Sequence, residues 1–106
     1  MVTLKLPDLS SNSYVRTTYV LNDRQYTFIF NRCYNICFIS IYFIQDNQKV
    51  YLLQTRPLTL NTDLFKRIKN DSLVTGSLYL RAKNDNISEI TAENFSSDFE
   101  MEYEDE

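Results

Sequence analysis

The chain has 106 residues, a formal net charge of −3 and no histidine. This length predicts one domain with one hydrophobic core, and a hydrophobic content of 43% excludes a disordered chain. The lack of histidine removes the commonest general base, which disfavours an enzyme. No apolar run approaches the roughly 20 residues of a membrane-spanning helix, and the first residues do not resemble a signal peptide. We therefore expect a chain made in the cytoplasm, without a membrane partner.

The charge is distributed unevenly along the chain. Residues 1–97 carry eleven bases and eight acids, whereas six of the fourteen acids lie in the last nine residues. The sequence therefore predicts a single β domain over residues 1–103, followed by an acidic C-terminal tail at residues 104–106.

The two cysteines, Cys33 and Cys37, are four residues apart. Without histidine, this pair cannot complete a four-ligand zinc site within one chain. We expect Cys37 to lie in the core and Cys33 at the edge of a loop, both reduced, with no metal and no cofactor.

Alternating apolar and polar residues predict most of the fold as β-strands. Gln25 to Gln54 contains three such runs, and its middle run, Ile36 to Ile44, is apolar at nearly every position, as in a central strand covered on both faces. Tyr14 to Leu21 precedes it across a turn at Asn22 to Arg24, which completes a four-stranded antiparallel meander. Further strands are predicted at Val2 to Leu6, Gly76 to Ala82 and Phe99 to Tyr103.

One segment, about Thr62 to Lys69, has the pattern of a short helix. Asn61 or Thr62 can cap its start, and Leu64 and Ile68 lie one turn apart on one face. Ile87 to Phe95 stays open between irregular chain and a short helical turn. The predicted fold class is mainly β, a small antiparallel sandwich or partly open barrel of about six to seven strands with one short helix.

The sequence contains no recognisable catalytic or nucleic-acid-binding pattern. The row Glu100, Glu102 and Glu104 lacks a partner acid and the Gly of a calcium loop, and the single glycine, Gly76, excludes a Gly-rich phosphate loop. A short basic cluster at residues 66–69 is more typical of a solvated helix end than of a nucleic-acid face. Eight tyrosines instead favour protein–protein contact, because tyrosine combines a large apolar ring with a polar tip.

The order of these elements resembles a known family. Tyr26 to Arg32 forms an aromatic strand that reaches Asn31, and Ile36 to Phe43 forms an apolar strand. A polar turn and a fourth strand follow, at Gln45 to Gln48 and Val50 to Leu53. The later elements are an Asp-Leu-Phe start at Asp63, a Gly-Ser-Leu strand at Gly76 and a closing strand with Tyr103. Over about residues 14–103, this order is similar to the small baseplate plug proteins of tailed phages with contractile tails.

The resemblance implies a structural virion protein at the tail tip, made in the host cytoplasm. Such a plug would bind the central hub or spike and the tail tube, help to close the tube, and form a symmetric assembly of three copies. The expected contact residues are Tyr14, Tyr51, Tyr79, Glu100, Glu102 and Glu104. The alternative from the residues alone is an intracellular β-sandwich adaptor that binds a basic partner through its acidic C-terminal strand.

Overall fold

The computed structural model describes residues 2–66, 76–87 and 89–104, which contain seven strands and one short helix. The strands are β1 (Val2–Leu4), β2 (Tyr14–Leu21), β3 (Arg24–Cys33), β4 (Ile36–Gln45), β5 (Gln48–Pro57), β6 (Ser77–Ala82) and β7 (Phe99–Glu104), and the helix is α1 (Phe95–Asp98). They form two antiparallel sheets, in the orders β2-β3-β4-β5 and β1-β7-β6. The predicted fold class, a mainly β antiparallel sandwich, is confirmed.

The four-stranded sheet is the predicted meander. Each of its three turns has two residues, and in two of the turns both residues have a positive φ. Asn22 and Asp23 have φ values of 50° and 63°, and Asp46 and Asn47 have 54° and 62°. Positive φ at both central residues is the geometry of a type I′ hairpin turn, which Asn and Asp tolerate better than other non-glycine residues.

One core lies between the two sheets. The inward rows of β3 and β4 supply Phe28, Phe30, Ile39 and Ile41, all fully buried. Phe99, Met101 and Tyr103 of β7 are buried against them in the same cluster. The alternation predicted for the C-terminal strand is therefore observed, with its apolar residues inward, because burial of this row compensates the cost of ordering the end of the chain.

The helix predicted at Thr62 to Lys69 can be compared only through Lys66, because its last three residues lie outside the described residues. Up to that point the chain forms a turn. The Oδ1 atom of Asp63 accepts hydrogen bonds from the backbone N–H of Phe65, at 3.0 Å, and from that of Leu78 in β6, at 3.1 Å. The carboxylate thus joins the turn to β6. The Leu64 N–H also donates to the Leu78 carbonyl at 2.8 Å, so contacts with a distant strand hold this segment as a turn.

The helix among the described residues lies instead at the end of the segment that the sequence left open. Thr91 and Asn94 exchange hydrogen bonds just before α1: the Thr91 N–H donates to Asn94 Oδ1 at 2.8 Å, and the Asn94 N–H donates to Thr91 Oγ1 at 3.2 Å. Phe95, the first residue of α1, is fully buried, and its ring centroid lies 5.6 Å from that of Phe30.

Candidate interaction surfaces

The outer face of the four-stranded sheet carries exposed apolar side chains. Residues paired directly across antiparallel strands lie on the same face, and the pairs Tyr14↔Asn31, Ile29↔Ser40 and Tyr42↔Tyr51 belong to the face opposite the core. Its large exposed residues include Val20 (66% exposed), Tyr14 and Ile44 (each 58%) and Ile36 (57%). We call this surface the tyrosine face; it comprises Tyr14, Val20, Ile29, Ile36, Ile44 and Tyr51.

A shallow groove of about 320 Å³ crosses the tyrosine face. Tyr51 is held beside it by an aromatic contact, because its ring centroid lies 5.2 Å from that of Tyr42. The Lys49 Nζ atom lies 4.9 Å from the centre of the Tyr42 ring. The residues that line the groove are Tyr14, Ile29, Asn31, Ser40, Tyr51, Gln54 and Thr55.

The outer face of the three-stranded sheet has an acidic character. Glu100, Glu102 and Glu104 alternate along β7 and stand opposite Arg81, Tyr79 and Ser77 of β6, respectively. Glu104 is exposed, whereas Glu100 and Glu102 are half-buried. We call this surface the acidic face; it comprises Tyr79, Arg81, Glu100, Glu102 and Glu104.

Arg81 organises the centre of the acidic face. Its guanidinium lies 4.2 Å from the centre of the Tyr79 ring, and its Nε is 3.4 Å from Glu102 Oε2. A further N–H of Arg81 donates to Asn61 Oδ1 at 2.8 Å. Both side chains of the ion pair are partly open to solvent, so the pair adds at most about 1 kcal/mol to stability. Its main effect is to fix the orientation of Tyr79 and Glu102.

The six contact residues predicted from the sequence therefore fall on two surfaces of different sheets. Tyr14 and Tyr51 lie on the tyrosine face, and the other four lie on the acidic face.

Sequence reasoning missed Val20, Ile36 and Ile44 as surface residues. The apolar run of β4 predicted a strand covered on both faces, but this holds only for its middle, Ile39 to Phe43. The signal that could have found these exposed residues is their position next to the turns, at the ends of their strands.

Three ionisable groups with shifted pKa values lie outside both surfaces. Hydrogen bonds from Ser10 lower the pKa of the exposed Asp8 carboxyl. Burial raises the pKa of Tyr19, whose hydroxyl donates to the Lys5 carbonyl at 2.6 Å. Burial also raises the pKa of the Cys37 thiol, an effect that the nearby positive charge of Arg32 partly offsets.

The described residues contain neither a candidate metal site nor a candidate membrane-spanning helix. Within residues 2–66, 76–87 and 89–104, no group of three or more Cys, Asp or Glu side chains could hold a metal ion. In that same part of the chain, no helix is long and apolar enough to cross a membrane.

Two antiparallel sheets around one core, with outward faces of different character, place the chain in the class of small β-sandwich proteins. A family model described as cyanophage baseplate Pam3 plug gp18 matches residues 1–106, the whole chain. The chain belongs to this phage baseplate plug family, which confirms the resemblance noted from the order of its motifs. Its role is therefore structural, in the tail baseplate of a virion. A comparison with curated proteins found no match.

Proposed function

We propose that this protein helps to close the tail tube at the tail tip by binding the hub or spike and the tube. The observation that carries the proposal is the tyrosine face, where Tyr14, Val20, Ile36 and Ile44 are each more than half exposed. Several large apolar side chains exposed on one sheet face favour a protein–protein contact, because leaving them in water costs free energy. Membership of the baseplate plug family gives the setting in which other baseplate proteins would cover it.

The two surfaces suit partners of different chemistry. The tyrosine face, with Tyr14 and Tyr51, would bind an apolar surface, because aromatic side chains supply most of the energy of such contacts. The acidic face, with Tyr79, Glu100, Glu102 and Glu104, would bind a basic surface and would set the orientation of the plug. A symmetric assembly of three copies would repeat both contacts around the tail axis.

We also propose that residues 1–103 act as one domain. β1 and β7 pair from Val2↔Tyr103 to Leu4↔Met101, so the two ends of this segment belong to one sheet. The acidic tail proposed at residues 104–106 begins within β7, which extends to Glu104. The proposed action is mechanical, needs no cofactor or catalytic residue, and follows synthesis in the host cytoplasm. The adaptor alternative would use the same acidic face, and the match to a baseplate plug family over the whole chain favours the plug over it.

Cryo-electron microscopy of tail particles tests this proposal. We expect density for three copies on the tail axis, with the tyrosine face and the acidic face both in contact with hub or tube proteins. Particles that hold the chain away from the axis, or with both faces in solvent, would contradict the proposal.

A variant experiment tests the tyrosine face separately. Tyr14→Ser removes an aromatic ring from this face, and Tyr34→Ser is the matched control, since Tyr34 is 87% exposed in the turn between β3 and β4. In phages that carry only the variant gene, we expect Tyr14→Ser to lower the amount of plug in purified particles, and Tyr34→Ser to leave it unchanged. Equal incorporation of both variants would exclude Tyr14 from the contact.

A further inference from the structure

The outer edge of β2 is the long regular edge among the described strands. β2 ends the four-stranded sheet and pairs with β3 over all eight residues without a bulge. The opposite edge strand, β5, contains two register shifts, a proline at Pro57 and a positive φ at Thr55. All three features discourage further pairing. The β6 edge is partly covered, because the Asn61 N–H donates to the Leu80 carbonyl. β1 has only three residues.

One hydrogen bond shows which backbone groups of β2 bond to β3 and which point away from the sheet. The Arg32 N–H donates to the Ser13 carbonyl at 3.0 Å, so Ser13 and Arg32 form a hydrogen-bonded pair in the register of β2 with β3. Hydrogen-bonded pairs alternate along an antiparallel ladder. Odd-numbered residues of β2 therefore bond to β3, and even-numbered residues direct their N–H and C=O groups away from the sheet. These are Tyr14, Arg16, Thr18 and Val20.

The same four residues have exposed side chains on the outer face, and their sequence is self-complementary. When a second β2 lies antiparallel with Thr17 on the two-fold axis, Tyr14 stands opposite Val20, and Arg16 stands opposite Thr18. The two most exposed apolar residues of the edge then cover each other, and the arginines do not stand directly opposite. The outward N–H and C=O groups also meet, and the outer faces of the two sheets remain continuous.

We propose that, before it joins the baseplate, this protein forms a two-fold dimer through antiparallel pairing of β2 with β2 of a second copy. The dimer has one continuous eight-stranded sheet. Pairing satisfies the backbone groups of the open edge, which would otherwise invite aggregation. In the proposed assembly of three copies, no two-fold axis relates neighbouring copies, so the dimer separates when the plugs assemble. The dimer is a property of the free chain and does not rest on the proposed binding of hub and tube.

Analytical ultracentrifugation of the purified full-length chain tests the dimer. We expect a species of twice the chain mass of 12.6 kDa, which dissociates on dilution. Thr18→Pro removes an outward N–H without removing a bond to β3, so we expect a folded monomer. The matched control, Thr18→Val, keeps the N–H and is expected to remain a dimer. Val20→Pro likewise removes an outward N–H without removing a bond to β3, and provides a second monomeric variant if Thr18→Pro fails to fold.

Amide hydrogen exchange measured by NMR locates the contact. In the dimer, we expect slow exchange at Arg16 and Thr18, and in the monomeric variant fast exchange at Arg16. Val15, Thr17 and Tyr19 are internal controls, because their amides bond to β3 in either state. A monomeric or trimeric wild-type chain, or a dimer with fast exchange at Arg16 and Thr18, would overturn the proposal. Any of these results leaves the particle experiment above as an independent test of the baseplate function.

Discussion

Gly76 stands immediately before β6 with a φ of +86°, a backbone conformation that is unfavourable for other residues. A Cβ at this position would collide with the Glu104 carbonyl oxygen and would lie 2.9 Å from the Tyr103 hydroxyl. The only glycine of the chain therefore serves two purposes, the left-handed turn into β6 and the close approach of the end of β7.

Gly76→Ala tests this account. Without strain, the substitution would stabilise the protein slightly by restricting the unfolded chain. Strain and the collision should outweigh this gain, and we expect the free energy of unfolding to fall by about 1–3 kcal/mol. Urea unfolding measures the change, with Thr59→Ala at an exposed position as the control. A Gly76→Ala variant as stable as wild type would show that β6 and β7 can separate without cost.

The predicted positions of the two cysteines are confirmed: Cys37 is buried and Cys33 is exposed at the end of β3, and both are free. Burial raises the pKa of Cys37 above its ordinary value of 9.0 and so favours the neutral thiol in the folded state. The contribution of the buried, neutral Cys37 thiol to the free energy of unfolding is therefore fully present below pH 9. It is lost as the pH rises toward the folded-state pKa, because the thiol of the unfolded chain ionises first. Burial of Tyr19, whose pKa is likewise raised, acts in the same direction above its ordinary value of 10.0.

We therefore expect the free energy of unfolding to be level from pH 7 to about 9 and to decline above it. Cys37→Ala should be less stable at about pH 7, because a buried side chain is shortened, yet should lose less stability between about pH 9 and 10 than wild type. Urea unfolding at a series of pH values measures how steeply the free energy of unfolding falls with pH in each protein. Identical slopes in the two proteins would exclude Cys37 as a source of the decline.

At the scale of elements, β5 departs from a regular strand. The pairs Ile39↔Arg56, Ile41↔Leu53 and Tyr42↔Tyr51 change register twice. An extra residue in one strand is a β-bulge, which rotates the following side chains. As a result, the consecutive residues Leu52 and Leu53 are both buried in the core, which a regular strand with alternating faces would not permit.

Ser40 of β4 supports this irregular geometry. It is the buried polar residue among those described, and its Oγ accepts a hydrogen bond from the Thr55 N–H at 2.8 Å. Ser40→Ala leaves this N–H without its acceptor, and we expect a loss of about 1–3 kcal/mol in the free energy of unfolding. Thermal and urea unfolding measure it, and Ser13→Ala, with an exposed side chain just before β2, provides the comparison. If both variants match wild type, the serine does not hold the bulge.

At the scale of the whole molecule, β7 is the central strand of its sheet, between β1 and β6. It closes the fold because it brings the last residues of the chain against the first. Its three inward side chains, Phe99, Met101 and Tyr103, are each at most 4% exposed. The acidic row is therefore the outer side of a strand that the core requires.

We expect a chain truncated after Ser97 to lose cooperative unfolding, because it lacks the central strand and three core side chains. The full-length variant with Glu100→Gln and Glu104→Gln removes two acidic charges but keeps the strand, and should unfold within about 0.5 kcal/mol of wild type. Circular dichroism during thermal unfolding distinguishes the two. A cooperative transition in the truncated chain would contradict a structural role for β7.

The sequence predicted the meander β2 to β5 closely, because alternation and turn chemistry are local signals. The turns at Asn22–Asp23 and Asp46–Asn47 are examples, since these residues accept positive φ without help from distant contacts. The helix expected from Thr62 is different: the residues seen there form a turn, because Asp63 bonds to Leu78 of a distant strand. Such a bond between separated segments leaves no periodic signal in the sequence.

The amino-acid sequence by itself determined the strand content, the hairpin turns, the reduced cysteines and, through the order of its motifs, the family. Only the tertiary structure decided that β7 lies between β1 and β6, that β5 is bulged, and that the six expected contact residues divide between two faces. The physical reason is that local patterns fix which residues are extended. The order of strands in a sheet and the exposure of side chains depend on which distant apolar rows pack against one another. This packing is decided only when the whole core forms.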